Sequence, residues 1–336
     1  MNGVLIVDKP PGLTSHDVVN RVRRILHQPS VGHLGTLDPL ATGLLPLVTG
    51  NLTRLAQFYT SSEKTYEGVI RFGFATDTYD SEGEPSGPTQ AVNVTLEQMR
   101  ELAARFVGRT DQVPPPLSAK KINGVPAYKL ARKHKNVPLK AVQVEIKEFE
   151  ILGLEGAGLD GEGSEGKGSK DGVSERNGLQ GDRASFRARV ASGTYMRSVA
   201  HDMGQQIGCG AHLASLRRTA LGEFSLSDAH TLEELTAVSQ KSQSGEISKE
   251  LAAMFVHPRR LLPQFPCVTA NDEVVGHIRS GRAVNLPDLS EARQVKVFAG
   301  QRELIAIATR IAGTLFHPKI VLVGSAATQP GNGNRA

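Results

Sequence analysis

The chain has 336 residues, of which 39% are hydrophobic, so it is long enough for two domains and apolar enough for packed cores. It contains no apolar run of about 18 residues, and its N-terminal segment lacks the basic start of a secretory signal, so we expect neither a membrane span nor export. Its two cysteines, Cys209 and Cys267, are too few and too far apart for a disulfide framework or a zinc site, which favours a cytoplasmic protein.

The net charge of +5 is unevenly distributed along the chain. Residues 153–182 carry seven acidic and three basic side chains, which leaves +9 for all the other residues. A positive surplus of this kind favours a polyanionic partner, above all a nucleic acid. Basicity alone is weak support, because many basic proteins bind no nucleic acid.

The first elements are a strand and a helix, followed by a glycine-rich loop. Residues 3–7 form an apolar run typical of a buried strand, and Thr14 with Asp17 has the spacing of a capping box that opens a helix. Residues 32–43 contain too much glycine for a helix and are too irregular for a strand, so we predict a tight loop. Its carboxylate, Asp38, precedes Pro39, which restricts the Asp38 backbone. The residues leave open whether this is an Asp-Pro turn or a ligand-binding loop.

Helices and strands alternate through the next hundred residues. We predict a helix over about 52–59, a strand over 65–73 and an amphipathic helix over 95–106. Four acidic residues between 77 and 84 lack the spacing of a calcium loop, so no metal site is predicted there.

Residues 112–144 contain no acidic side chain but many lysines and arginines. Such a run can simply be a solvated surface, but its length without a carboxylate favours an arm that contacts RNA phosphates. The next predicted strands, 142–151 and 184–191, flank the acidic segment 153–182. That segment is rich in Gly, Ser, Asp and Glu and cannot bury enough apolar surface to fold, so we predict a disordered insertion.

Residues 192–194 (Ser-Gly-Thr) are predicted to cap a helix, and Arg197 then lies in its first turn. The helix dipole disfavours a cation there, so Arg197 is either an ordinary surface arginine or the partner of a carboxylate or phosphate. A polar linker over 238–250 separates this region from short strands over 294–299, 303–311 and 319–323. These strands predict a small second domain.

Five motifs, in the correct order, resemble those of the bacterial tRNA pseudouridine synthases that modify the uridine at position 55, in the TΨC loop. They lie at residues 8–15, 32–43, 64–66, 76–80 and 192–197. The resemblance implies an α+β fold with a mixed, largely antiparallel sheet flanked by helices, followed by a small β-barrel-like PUA domain. It also implies a catalytic domain over 1–240, a PUA domain over 251–325, and an insertion at 153–182 that typical relatives lack.

The resemblance implies a role for each residue of a catalytic site. Asp38 is the catalytic aspartate, acting as the nucleophile at C1′, the role we assign it, or as a base at the 2′ position. Arg197 pairs with Asp38, and Tyr66 stacks on the target base. The implied substrate-binding residues are His33, Lys64, Asp80, Tyr195 and Leu216. The implied contacts to the RNA backbone, in the basic arm 112–144, are Lys120, Lys121, Lys129, Arg132 and Lys133.

By the same resemblance, the enzyme acts on a flipped-out nucleotide of the tRNA T-arm and elbow, without cofactor or metal, and we expect a monomer. Two alternatives remain open: a non-catalytic protein that binds or folds tRNA, and a pseudouridine synthase that acts on another RNA uridine. A carboxylate in an RNA-binding groove repels phosphate, so Asp38 favours an enzyme over a binding protein.

Overall fold

The computed structural model describes residues 2–117, 140–156, 181–241, 249–289 and 291–322, together with the backbone of 121–122 and 125–126. The helices are α1 (Ser15–Ile25), α2 (Ala56–Tyr59), α3 (Leu96–Ala104), α4 (Met196–Ile207), α5 (Leu232–Lys241), α6 (Lys249–Ala253) and α7 (Asp272–Arg279). The strands are β1 (Gly3–Lys9), β2 (Val31–His33), β3 (Thr42–Thr49), β4 (Lys64–Phe72), β5 (Gly108–Gln112), β6 (Lys121–Ile122), β7 (Val125–Pro126), β8 (Val142–Glu155), β9 (Arg183–Val190), β10 (Ala211–Leu221), β11 (Phe224–Ser225), β12 (Ala229–His230), β13 (Cys267–Ala270), β14 (Val284–Asn285), β15 (Gln294–Ala299), β16 (Glu303–Ala312) and β17 (Leu315–Val321).

The large sheet contains ten strands, eight of them in the order β12-β1-β3-β10-β4-β9-β8-β5, with β2 beside β3 and β11 beside β10. The pairs β1–β12 and β3–β10 are parallel, and the remaining pairs are antiparallel. This confirms the predicted α+β fold with a mixed, largely antiparallel sheet. The sheet places β10, from late in the chain, between β3 and β4.

The amphipathic helices form where the sequence predicts them. The capping box at the start of α1 is present: Thr14 Oγ1 accepts from the Asp17 backbone N–H, and Asp17 accepts from the Thr14 backbone N–H. Helix α3 begins with a second capping box, between Thr95 and Gln98. The predicted helix near 52–59 is a 3₁₀ turn, Gly50–Leu55, that continues into α2.

The C-terminal sheet has the order β13-β15-β16-β17-β14 and curls into a half-barrel, as expected for the second domain. Its Phe298 and Ile307 share a buried core with Val4 and Ile6 of β1. Arg260 adds a two-point ion pair with Asp228, at 2.8 Å for each hydrogen bond. The half-barrel therefore packs directly on the large sheet. Its assignment as a PUA domain, and the limits 1–240 and 251–325, stay predictions.

Two predicted segments have boundaries that differ from the structure. Strand β8 continues to Glu155, so the first residues of the predicted insertion 153–182 belong to the sheet. Its last residue, Asp182, directly precedes β9 and lies 3.5 Å from Arg71 of β4. Residues 157–180 of that insertion lie outside the described residues. The predicted linker 238–250 overlaps α5, which reaches Lys241, and α6, which begins at Lys249.

The predicted cap of α4 is wrong. Helix α4 begins at Met196 with Tyr195 as its N-cap residue, and Tyr195 makes no side-chain capping bond. The Ser192 hydroxyl donates instead to the Thr60 carbonyl, at 2.5 Å. Residues 192–194 are therefore held against the segment before β4. None of the helices in the described part of the chain has both the length and the apolar character needed to span a bilayer.

Candidate active site

A cavity of about 460 Å³ opens between the loop that follows β2, the start of β4 and the N-terminus of α4. The sequence-predicted residues that line it are His33, Asp38, Lys64, Tyr66, Tyr195, Arg197 and Leu216. The eighth, Asp80, lies behind Arg197 and is 3% exposed. The fold therefore brings together residues from five separate stretches of the chain, although their roles stay predictions.

Arg197 is the centre of the charged cluster at this cavity. Its Nε lies 3.0 Å from Asp38 Oδ2, and its Nη1 lies 3.3 Å from Asp80 Oδ2. It also donates to two backbone carbonyls, those of Thr78 at 3.1 Å and Leu117 at 2.8 Å. These two carboxylates and two carbonyls compensate a cation that is almost fully buried in the first turn of a helix.

Asp38 reaches the cavity with 40% of its side chain exposed. Burial of the carboxyl group raises its pKa above the ordinary value, and the positive charge of Arg197 opposes that shift. The negative charge of Asp80 raises the pKa of Asp38 further, whereas Lys9 lowers it. The partial burial of Asp38 and the cation beside it therefore act on its protonation in opposite directions.

The backbone on both sides of Asp38 is fixed by two side chains that the sequence analysis gave no role. The buried Lys9 ammonium group donates to the carbonyls of Pro39, at 3.1 Å, and Ala41, at 2.6 Å. Burial lowers the pKa of Lys9 to about 8. The Ser15 hydroxyl donates to the Leu37 carbonyl and accepts from the Leu37 N–H, at 3.0 and 2.8 Å. Asp38 thus lies between two anchored neighbours.

Arg218 anchors the rest of this loop from β10. It is 1% exposed and donates to the carbonyls of Leu44, at 2.8 Å, and Gly35, at 3.0 Å. Gly43 has φ +92°, and a Cβ there would lie 2.4 Å from the Arg218 carbonyl oxygen, so this close contact requires glycine. Lys9 and Arg218 were missed. The sequence signal was a lysine at the end of an apolar strand and a second arginine within another strand.

The other walls of the cavity are mostly apolar or weakly basic. Tyr66 is 8% exposed, and Leu216 is half-buried on the neighbouring strand. Burial lowers the pKa of His33, with a further contribution from the Arg218 cation. Burial likewise lowers the pKa of Lys64 to about 8. The cavity therefore offers an aromatic face, a carboxylate and basic groups near its rim.

The predicted RNA-backbone contacts cannot be placed. Lys120, Lys129, Arg132 and Lys133 lie outside the described residues, and only the backbone of Lys121 is described, in β6. The first residues of the basic arm 112–144 are described, and they contact α4.

The acidic residues between 77 and 84 stabilise their own loop. Asp77 accepts from the Glu84 N–H, and Asp80 accepts from the Thr78 hydroxyl and the Glu82 N–H. Within the described ranges, no group of three or more His, Cys, Asp or Glu side chains is placed to hold a metal ion.

Comparison with known proteins connects this geometry to a family. The model of the TruB family pseudouridylate synthase N-terminal domain matches residues 23–170, and that of the tRNA pseudouridylate synthase B C-terminal domain matches residues 197–259. A tRNA pseudouridine synthase B of Solibacter usitatus is 43% identical over 325 residues, which cover 96% of this chain and 100% of the relative. A protein of the same name from Opitutus terrae is 41% identical, over 71% of this chain and 88% of the relative.

Solved structures resemble the chain in fold. An H/ACA RNP bound to a substrate RNA containing 2′-deoxyuridine gives a TM-score of 0.67 at 22% identity, covering 96% of this chain and 86% of that one. A Cbf5-Nop10-Gar1 complex gives 0.66 at 23% identity, covering 96% and 85%. From the sequence matches, this chain belongs to the TruB family of pseudouridylate synthases, which isomerise uridine to pseudouridine in tRNA.

Proposed function

We propose that this chain converts the uridine at position 55, in the T loop of tRNA, to pseudouridine, with Asp38 as the nucleophile. The observation that carries the proposal is the placement of Asp38 in a nucleotide-sized cavity, 3.0 Å from the buried Arg197. Cavities that bind small molecules commonly have volumes of about 300–1,000 Å³. The names of the relatives support tRNA as the substrate.

The reaction rearranges atoms within one nucleotide. The N1–C1′ bond breaks, the uracil rotates, and a C5–C1′ bond forms, while N1 gains a proton and C5 loses one. The Asp38 carboxylate bonds to C1′ as the N1–C1′ bond breaks, and that bond to the carboxylate breaks in turn when C5 of the rotated uracil attacks C1′. Arg197 keeps Asp38 ionised against the desolvation of the site, because its charge favours the carboxylate form.

The target nucleotide must leave the loop stack, because C1′ and C5 cannot both be reached inside it. The ring of Tyr66 lines the cavity and can stack on the flipped uracil, with Leu216 and Tyr195 on the other sides. His33 also lines the cavity, and we propose that it fills the gap that the nucleotide leaves in the T loop. Lys64 and Asp80 support binding, Lys64 through its charge and Asp80 through its contact with Arg197.

The basic arm 112–144 is proposed to bind the T-arm and elbow of tRNA. Its first residue, Gln112, ends the edge strand β5 and bonds to Tyr195 at the cavity. Because the arm begins beside the cavity, we propose that its lysines and arginines hold the phosphates next to the bound nucleotide. We further propose that the enzyme is a cytoplasmic monomer.

The test uses an unmodified tRNA transcript, the wild-type protein and two variants. Asp38→Asn removes the proposed nucleophile, and Asp111→Asn, an exposed aspartate on β5, is the matched control. Pseudouridine is then mapped at nucleotide resolution. We expect modification at position 55 with the wild type and with Asp111→Asn, and none with Asp38→Asn. Equal product from Asp38→Asn, or modification at another position only, would overturn the proposal.

The same experiment separates the enzyme from a protein that only binds or folds tRNA. Asp38→Asn should bind the transcript at least as tightly as the wild type, because the substitution removes a negative charge from an RNA-binding surface. A wild type that binds tRNA but forms no pseudouridine would favour the binding function.

A further inference from the structure

Gln112 occupies an unusual position at the junction of the basic arm and the cavity. It is the last residue of β5 and is 3% exposed. Its side-chain Oε1 accepts from the Tyr195 N–H at 2.8 Å, and its Nε2 donates to the Tyr195 carbonyl at 3.1 Å. A single amide side chain thus bonds to both backbone groups of one residue, as a neighbouring strand would.

Tyr195 lies at a point where the chain changes direction. It is the N-cap residue of α4 and has extended backbone angles, φ −104° and ψ 111°, without a side-chain cap. Its carbonyl also accepts the first bond of the helix, from the Val199 N–H at 3.2 Å. Gln112 therefore fixes the residue at which the chain turns from the cavity wall into the helix.

Two further hydrogen bonds extend the same contact. The Ser198 hydroxyl donates to the Val113 carbonyl at 2.7 Å, and Arg197 Nη2 donates to the Leu117 carbonyl at 2.8 Å. We call these bonds, together with the Gln112–Tyr195 pair, the seam. It joins the segment that leads into the arm to the first turn of α4.

The seam lies where both ends of the arm meet the sheet. Gln112 pairs with Val142 of β8 in the antiparallel register, so the chain leaves the sheet at one of these residues and returns at the other. The segment that leads into the arm therefore contacts Tyr195 through the Gln112 side chain and Arg197 through the Leu117 carbonyl.

We propose that Gln112 is a positioning residue: it holds Tyr195 and Arg197 in their catalytic places and connects the tRNA-binding arm to the base cavity. The proposal rests on the proposed function of the cavity. Gln112 is too buried to contact RNA, so its contribution is to the geometry of Tyr195 and of the Arg197–Asp38 pair. Displacing a catalytic group by about 1 Å costs on the order of a hundredfold in rate.

The test replaces Gln112 with methionine, which has a similar size but cannot make either hydrogen bond. We expect the single-turnover rate of pseudouridine formation to fall about 10- to 100-fold. Affinity for tRNA should change by no more than about twofold, because the substitution disturbs the positions of the catalytic residues but removes no contact with RNA. Gln206→Met, at an exposed site in the last turns of α4, is the matched control and should change neither quantity.

Hydrogen exchange gives a second readout that requires no activity. The amides of residues 192–199 should exchange faster in Gln112→Met than in the wild type, because the Tyr195 N–H loses its acceptor. If Gln112→Met fails to fold, Gln112→Glu carries the test. Its carboxylate still accepts from the Tyr195 N–H but cannot donate to the carbonyl, so the rate should fall there too.

The outcomes separate this inference from the proposed function. A wild-type rate in a folded Gln112 variant, or a defect seen only in tRNA affinity, would overturn the positioning role while leaving the enzyme intact. A wild type without activity at position 55 would overturn the proposed function. Even then, hydrogen exchange tests the contact between Gln112 and Tyr195. Faster amide exchange at residues 192–199 in Gln112→Met than in the wild type would support the contact, and equal exchange would refute it.

Discussion

The charged cluster at the cavity predicts opposite effects for two substitutions. Arg197 lowers the pKa of Asp38, so Arg197→Gln should move the acidic limb of the pH–rate profile to higher pH. Asp80 raises the pKa of Asp38, so Asp80→Asn should move the same limb to lower pH. General damage to the site would slow both variants but would not move the limb in two directions.

The distances set the size of these shifts. Two unit charges about 4 Å apart interact by roughly 4 kcal/mol at an effective dielectric constant of about 20. Because 40% of the Asp38 side chain is exposed, solvent screens the pair, so the interaction that Arg197→Gln removes should be well below this figure. The pKa of Asp38 should still rise, because its main stabilising charge is lost. The Asp80→Asn shift should be smaller, since Asp80 affects Asp38 less than Arg197 does.

The assay is single-turnover formation of pseudouridine in a tRNA transcript between pH 5 and 8, with ionic strength held constant. Arg197→Gln leaves the buried Asp80 without its cation, which can cost about 3–5 kcal/mol of stability. The double variant Arg197→Gln, Asp80→Asn avoids that cost and should show a limb between those of the single variants. An unmoved limb in Arg197→Gln, or an upward shift in Asp80→Asn, would refute the electrostatic reasoning.

Four further predictions follow from the same structure. Burial raises the pKa of Asp38 above its unfolded value, so an ionised Asp38 destabilises the folded protein at pH 7. Asp38→Asn should therefore raise Tm at pH 7, by roughly 2 °C for each kcal/mol of destabilisation that it removes, and this gain should vanish below the unfolded pKa. An unchanged Tm at pH 7 would contradict this reasoning. Burial lowers the pKa of Lys64 to about 8, so this side chain loses its positive charge between pH 7 and 9. The affinity of the wild type for tRNA, measured by filter binding, should therefore fall over that range. A similar fall in Lys64→Met would contradict a contact between Lys64 and RNA. Affinity for tRNA should fall steeply with salt, and Lys129→Gln should reduce the slope of log K against log salt by about 1; a flat wild-type plot would contradict the basic arm. Deleting residues 157–180 spares β8 and Asp182 and removes a net charge of −2. The deletion should raise the affinity for unrelated RNA, and an unchanged affinity would contradict like-charge repulsion of RNA by this segment.

Local patterns predicted most of the elements of the large sheet, because alternation along strands and capping boxes are local signals. The Thr14–Asp17 box and the alternation of β9 appear in the structure as expected. The order of the motifs identified Asp38 and Arg197, and the fold places them 3.0 Å apart. The helix dipole disfavours a cation in the first turn of α4, so the position of Arg197 by itself also predicted a nearby anionic group.

The missed residues act over distances that no local pattern reveals. Arg218 donates to the carbonyl of Gly35, and Lys9 to that of Ala41, so their partners are backbone groups of remote residues. Gln112 is an uncharged residue at the end of a strand, and its sequence gives no sign of its contact with Tyr195. The cap of α4 was mispredicted because the helix begins only at Met196, and the Ser192 hydroxyl instead donates to the Thr60 carbonyl, a partner that only the tertiary structure supplies.

The hydrogen bonds from Arg218 to the loop that contains Asp38 also affect when this loop can fold during protein synthesis. Gly35 and Arg218 are separated by 183 positions in the chain, and β10 inserts between β3 and β4 only after it has been synthesised. At translation rates of about 5–20 residues per second, roughly 10 to 40 s pass between the synthesis of Gly35 and that of Arg218. The Asp38 carboxylate is made early, but its surroundings assemble only after β10 has been synthesised. A nascent chain stalled before residue 218 should therefore bear Asp38 without an assembled active site.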